Sequence, residues 1–242
     1  MERLSENKRK FQNALEFLAR TYGIRQIFTD LLDTLLYPLI IDDSGALARN
    51  PLPQYKPNEI EIFQQMMLEV GTIMDDDGTG LNDALGDLFM EFLSFGKNGQ
   101  FFTPQCICDM MAAMQGEMED GQSVCDCACG SGRMLLAAAK RNRNLRFYGS
   151  DLDITCVKMT AINLAMNSLK GEVAWMNTIT MEHYGSFKIH RCPFTRVPFI
   201  TTLPKGTSDM VVRIKNTIEK APIQEVPNQP IIIQQQQQLT LF

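Results

Sequence analysis

The stretch Val124-Cys125-Asp126-Cys127-Ala128-Cys129-Gly130-Ser131-Gly132 constrains the fold of this chain more than any other. It reads as a short buried strand, a loop of small residues, and the first turn of a helix running through Met134, Leu135, Leu136 and Ala137. Gly130 and Gly132 tolerate positive φ and let backbone approach a ligand with no Cβ in the way. Ser131 is placed to cap the helix, whose first amides and positive dipole end face the loop. Asp126 stands at the carboxyl end of the strand, where open α/β sheets hold their ligands.

A glycine turn alone can also serve only to pack a strand against a helix. The next unit adds to it. Arg146-Phe147-Tyr148-Gly149-Ser150-Asp151 reads as a second strand ending in an acid, and Asp151 follows Asp126 by 25 residues. An acid about 20 residues beyond such a turn usually receives ribose hydroxyls. The pair predicts an adenosine-type cofactor, with a purely structural β-α-β unit as the alternative.

At 242 residues the chain can bury a large core. Its net charge of −5 argues against a polyanion wrapped over the whole surface. The charge is uneven: Pro57 to Gly96 holds nine acids and no Lys or Arg, while Glu182 to Lys220 holds seven bases and three acids. A polyanion contact is therefore expected on the later half, if the two runs are not simply solvated faces. The charged start from Met1 to Lys10 lacks the apolar segment of a leader, and no run is long enough to cross a bilayer. Seven cysteines, three of them crowding the glycine loop, fit free thiols in a reducing cytoplasm. The loop cysteines are not expected to hold a metal, because Cys127 is expected to face away from Cys125 and Cys129.

Along the chain, Phe11, Leu15, Leu18 and Ala19 form one helical stripe and Ile27, Leu31, Leu32 and Leu35 another, with a break at Gly23. Ile41 to Pro57 reads as a loop, and Asn58 with Glu61 as a capping box opening the next helix. Leu81 to Leu93 follows helical spacing. Thr103 is a natural N-cap and Pro104 a natural first residue for a helix carrying Ile107, Met110, Met111 and Met114 inward. Past Asp151 come a helix over Ile154 to Asn167, strands over Glu172 to Met176 and Ser186 to Arg191, and a further strand over Asp209 to Ile214. From Lys220 the composition is that of a disordered tail, ending in the run Gln234 to Gln238.

Three motifs in order carry a family likeness: Leu85-Gly86-Asp87-Leu88-Phe89, then Gly99-Gln100-Phe101-Phe102-Thr103-Pro104, then Asp126-Cys127-Ala128-Cys129-Gly130-Ser131-Gly132. They resemble the adenine-N6 DNA methyltransferases, above all the modification subunits of type I restriction systems. That family carries Gly-Gln-Phe-Phe-Thr-Pro and Asp-Pro-Ala-Cys-Gly-Ser-Gly, and this chain departs only at Cys127.

The resemblance implies an α/β fold: a Rossmann-like class I S-adenosylmethionine-dependent methyltransferase domain with a shortened carboxyl end, preceded by an all-helical N-terminal region. It implies a helical region over 1–96, the cofactor-binding domain over 97–218 and a flexible Gln-rich tail over 219–242. It also implies S-adenosylmethionine as cofactor. Gln100, Phe101, Phe102, Thr103 and Pro104, with Asp126, Ala128, Cys129, Gly130 and Gly132, would hold its methionine end. Asp151 would take the ribose hydroxyls, Leu152 would be a further cofactor contact, and Asn177 would stand at the adenine edge. DNA is the implied substrate and a specificity-type subunit the implied partner.

The family's chemistry needs an Asn/Asp-Pro-Pro-Tyr/Phe tetrapeptide, because the lone pair of adenine's exocyclic amine is delocalised and its hydrogens need acceptors. The aromatic residue stacks the extruded base. No such tetrapeptide occurs in the sequence. By spacing, its place falls at Arg191-Cys192-Pro193-Phe194, with Arg196-Val197-Pro198-Phe199 as a second candidate, and guanidinium accepts no hydrogen bond. Only 48 residues follow Phe194, too few for the rest of a methyltransferase sheet. A catalytically inactive relative that binds cofactor and regulates on DNA is therefore the alternative reading. At the end of the chain, Gln238, Leu239, Leu241 and Phe242 resemble a peptide that docks on the replication sliding clamp.

Overall fold

The computed structural model describes residues 2–93 and 101–211. Helices α1 (Glu2–Tyr22) and α2 (Ile24–Leu36) part at Gly23, where the sequence predicts the break. Their stripes are fully buried at Phe11, Leu15, Ile27, Phe28, Leu31 and Leu32. Helix α3 (Pro57–Asp75) starts on a different acid from the one expected. The Lys56 N–H donates to Glu59 Oε2 at 2.8 Å, and Pro57 takes the first helical position, where its missing N–H costs nothing. Helix α4 (Ala84–Phe92) opens on Asp83, whose side chain accepts the Gly86 N–H.

The α/β part follows. Helix α5 (Gln105–Met114) precedes strand β2 (Ser123–Asp126), and α6 (Arg133–Arg141) links β2 to β3 (Arg146–Asp151). Helix α7 (Ile154–Met166) then links β3 to β4 (Lys170–Asn177). These three strands are parallel, as helical crossovers require. Strands β5 (Glu182–Arg191) and β6 (Pro198–Leu203) continue the sheet antiparallel. The sixth strand, β1 (Ile40–Asp42), comes from inside the helical region and pairs parallel with β6. Among the described residues the strand order is β1-β6-β5-β4-β3-β2, with β2 at an edge.

The sequence misses β1 because three residues show no alternation. It is fixed instead by the turn after it: Thr202 Oγ1 donates to Asp43 Oδ1 at 2.9 Å and accepts the Gly45 N–H at 2.8 Å. Strand β6 was hidden by prolines that bracket it rather than break it, Pro198 standing first in the strand where a missing donor is tolerated. The strand expected over Asp209 to Ile214 is corrected: residues 209–211 are helical, and the Val211 N–H reaches Ser208 Oγ at 3.3 Å. Residues 212–214, like Gln100 and the clamp-like Gln238, Leu239, Leu241 and Phe242, lie outside the described residues.

One core joins the helical region to the sheet: Phe63 and Met66 share it with Leu135, Phe147, Val157, Phe187 and Ile200. Burying each such side chain contributes about 1.5–3 kcal/mol. A charged clamp fixes the register of the two parts. Asp33 of α2, 2% exposed, accepts Arg49 Nε at 2.9 Å and pairs with Lys158 Nζ of α7. Asp30 beside it is fully buried and takes hydrogen bonds from Arg49, Gln54 and Tyr55. No helix among the described residues is long and apolar enough to cross a membrane.

Breaking a buried ion pair leaves its partner desolvated and incompletely matched. Lys158→Met keeps the length of the side chain and removes its charge. The urea midpoint should fall, corresponding to a loss of about 3 kcal/mol, and Asp33→Asn/Lys158→Met should recover part of it.

Candidate functional site

Strands β2 and β3 end side by side, with Asp126 opposite Gly149 and Asp151 two residues further along β3. The loop leaving β2 is tied to β3 by the Cys129 N–H, which donates to the Ser150 carbonyl at 2.9 Å. Asp151 holds the same loop, since its Oδ2 accepts the Gly130 N–H and its Oδ1 the Asp153 N–H, both at 2.9 Å. Each oxygen keeps a lone pair for a further donor. Asp126 Oδ1 accepts the Ala128 N–H at 3.1 Å. Burial pushes the Asp126 carboxyl above its ordinary value, the Ala128 amide offsets part of this, and the charge on Asp151 adds to the rise. The two acids the sequence singles out thus share one mouth.

Gly130 is required here twice over. Its φ of +54° lies in the left-handed region, and a Cβ on it would stand 2.9 Å from Phe102 Cδ1. Phe102 in turn stacks on Phe89 of α4, with centroids 5.5 Å apart. Phe101, Phe102, Thr103, Asp126, Gly130 and Met134 enclose a small hollow of about 70 Å³. Phe101 is 84% exposed. Thr103 is not the N-cap: Pro104 occupies that place with no side-chain cap, and the Thr103 carbonyl accepts Arg133 Nη1 at 3.4 Å.

The sequence missed what holds this loop. Asp83, 1% exposed, receives the Gly86 N–H at 2.9 Å, Arg133 Nε at 2.8 Å, Asn163 Nδ2 at 2.8 Å and the Ser131 hydroxyl. Ser131 therefore does not cap α6; Gly132 is the N-cap, in the left-handed region. A Cβ at Gly86 would come within 2.1 Å of Asp83 Oδ2 and 2.4 Å of Ser131 Oγ, which accounts for the glycine beside Asp87. Asp87 completes the cluster by accepting Arg133 Nη2 at 2.6 Å.

The remaining candidates divide. Asn177 ends β4 as expected, but its Oδ1 accepts the Ile179 and Thr180 amides at 3.0 and 3.1 Å and so caps its own turn. Leu152 is exposed, and its carbonyl accepts the indole N–H of Trp175 at 3.0 Å. Trp175 pairs with Asp151 across the sheet, which puts a half-buried aromatic face beside the mouth. Its one sequence signal was that it is the only tryptophan in the chain.

The proposed catalytic position is not at this mouth. Strand β5 runs antiparallel to β4, with Gly171 opposite Ile189, so Arg191, Cys192, Pro193 and Phe194 turn at the amino ends of the parallel strands. Asp126 aligns through Gly149 and Val173 with Phe187, which leaves Arg191 about 13 Å further along the sheet. The second candidate, Arg196 to Phe199, enters β6 from the same end. Arg146, Lys170, Lys188, His190 and Arg191 line a hollow of about 410 Å³ there, together with Glu172 and Asp209.

Cys125 and Cys127 are both exposed and Cys129 is buried, so the expectation that Cys127 alone faces away is corrected. Residues two apart in a strand share a face. A larger groove of about 810 Å³ runs beside β2, between Ser123–Ala128 and α5, and adjoins the small hollow at Thr103, Asp126, Ala128 and Met134.

A family model described as N-6 DNA Methylase matches residues 81–203. No curated protein matches the chain. Among solved structures, one described as a class I S-adenosylmethionine-dependent methyltransferase of Listeria monocytogenes is similar, with a TM-score of 0.51 and 13% identity over 71% of this chain and 52% of that one. A type I restriction enzyme modification subunit of Vibrio vulnificus gives 0.37 and 18% over 48% and 27%. A type I restriction-modification methyltransferase subunit of Streptococcus thermophilus gives 0.35 and 21% over 66% and 36%. The chain thus spans about half the length of the first of these and less of the other two.

An acid whose folded-state value is raised binds its proton more tightly folded than unfolded. Stability then falls as pH rises through its ordinary value of 3.8 to the raised one, and stays lower above that. Asp126→Asn keeps the acceptor for Ala128 and removes the charge. It should raise the melting temperature at pH 7, with the difference from wild type vanishing well below pH 3.8.

Proposed function

The chain belongs to the N-6 DNA methylase family, and from that footing we propose that it is the cofactor-binding part of an adenine-N6 DNA methyltransferase, without methyl transfer of its own. S-adenosylmethionine is the cofactor of this family and fold. The observation that carries the proposal is the placement of Asp126 and Asp151 on one mouth, bridged by the Gly130 loop.

The residues fit the group. A half-buried carboxylate whose charge is disfavoured by burial gains from a cation beside it, and the ammonium of an amino-acid arm supplies one. Asp126, Phe102, Thr103 and the loop Ala128–Gly132 would hold that arm. Asp151, with free lone pairs on both oxygens, would accept ribose hydroxyls, and the face of Trp175 would meet the base. When bound, the cofactor supplies an electrophilic methyl group. What the chain's own residues do is orient that group and keep the loop in place through Asp83.

Accepting the methyl group is the missing half. An exocyclic amine needs acceptors for its hydrogens, and Arg191 has none to give and stands at the other end of the strands. The isolated chain therefore binds but does not transfer. DNA and a specificity-type partner belong to this reading, in which another polypeptide completes the enzyme. The placement of Arg191 also favours the alternative, a cofactor-binding relative that acts on DNA as a regulatory module.

At a cofactor concentration 100 times Kd the wild type should gain about 2.7 kcal/mol, read as a rise of several degrees in melting temperature. Asp126→Asn should lose at least tenfold in affinity by calorimetry while remaining folded. A wild type that shows no shift at saturating cofactor would refute the proposal. Labelled methyl groups entering adenine-containing DNA with the isolated chain would show that it needs no second part.

A further inference from the structure

Among the described residues, the cofactor crevice proposed above has one wall. In open α/β sheets such a crevice forms where strands lie on both sides of the glycine-loop strand and their connections part above it. Among the described residues, strand β2 has β3 on one side and stands at the edge of the sheet. The Gln122 carbonyl accepts the Arg146 N–H at 2.8 Å, so Gln122 and Val124 direct their backbone groups to β3. Alternation turns those of Ser123 and Cys125 outward, toward the 810 Å³ groove. Both residues are exposed.

The opposite bank of the groove is α5, and it is not what the sequence predicts. Ile107, Met110, Met111 and Met114 have the spacing of a buried helical face, yet they are 41–77% exposed. The other side of α5 packs on α6 through Cys108 and Ala112 against Ala137. Met111 lines the groove, and the rest of the stripe continues from it along the helix. An open sheet edge and an uncovered apolar stripe thus border one cleft, the combination that a strand from another chain fills.

We propose that this groove takes an extended strand of a different polypeptide, laid parallel to β2 as the next strand of the sheet. Its apolar side chains would cover the α5 stripe, and its carboxyl end would reach the mouth beside Asp126. The proposal rests on the cofactor reading above and names a partner for it: a polypeptide that presents an apolar strand to this edge. Nucleic acid is the wrong occupant, because Glu117 and Asp126 line the groove and no Lys or Arg does. A second copy is also wrong: two β2 edges paired about a two-fold axis run antiparallel, and each strand's carboxyl end then points away from the other's mouth.

The test places a photo-crosslinking benzoylphenylalanine at Ser123 of the full chain in its native cells, identifies the attached peptide, and purifies the pair. The expected result is a cross-link to an apolar strand of a different polypeptide. Cys125→Pro removes an outward N–H without touching the β2–β3 ladder, and it should weaken the purified pair at least tenfold. Met110→Glu/Met114→Glu, on the exposed helix face, should do the same with no backbone change. Attachment to residues 212–242, to a second copy, or to nothing overturns the proposal, as does a pair whose Kd neither variant moves. Cofactor binding by the wild-type chain alone is measured in parallel. Its loss would count against the cofactor reading, while the cross-link and Kd values judge the docking surface separately.

Discussion

A single buried carboxylate, Asp83, holds the glycine loop to the rest of the molecule. It stands at the start of α4 and takes donors from the glycine loop, from α6 and from α7. A carboxylate this buried needs charges and hydrogen bonds around it that repay its lost hydration. Arg133 supplies the charge and also reaches the Thr103 carbonyl, so the segment before α5 and the loop after β2 depend on the same pair. The helical region is thereby part of the site: it sets the height of the loop over the strand ends.

What that site can do follows from the sheet. In the proposed reading, the two acids at neighbouring strand ends, one raised by burial, receive a ligand with a cation at one end and hydroxyls at the other. S-adenosylmethionine has both. The direction of β5 and β6 carries both segments that stand as candidates for the family's catalytic motif to the far end of the strands, away from the mouth. Beside the mouth, β2 is the last strand of the sheet among the described residues, and the docking surface inferred above lies along that edge.

Much of this was legible in the residues. Strands β2, β3 and β4 and their crossover helices read directly, because a glycine turn, an acid at the right interval and alternating apolar residues all agree. Asp83 did not, since in sequence it is one acid in a run of nine, and only contact with Ser131 and Arg133 sets it apart. The α5 stripe shows why periodicity has limits: it reports that a face is apolar and not that anything in the same chain covers it. The place of Arg191 at the far end of the strands is itself legible in the length of one connection. Four residues join β4 to β5, and a parallel return needs a crossover of a dozen or more. Spacing along the chain agreed with the family motif, but direction in the sheet did not.

The central claim is that the mouth between β2 and β3 is where S-adenosylmethionine binds. Amide hydrogen exchange on the full chain, with and without the cofactor, tests it most directly. The account predicts slowed exchange at residues 127–132 and 152–153, with α2 and β6 unchanged. Protection confined to the basic hollow at the amino ends of the strands, or to none of the loop amides, would contradict it.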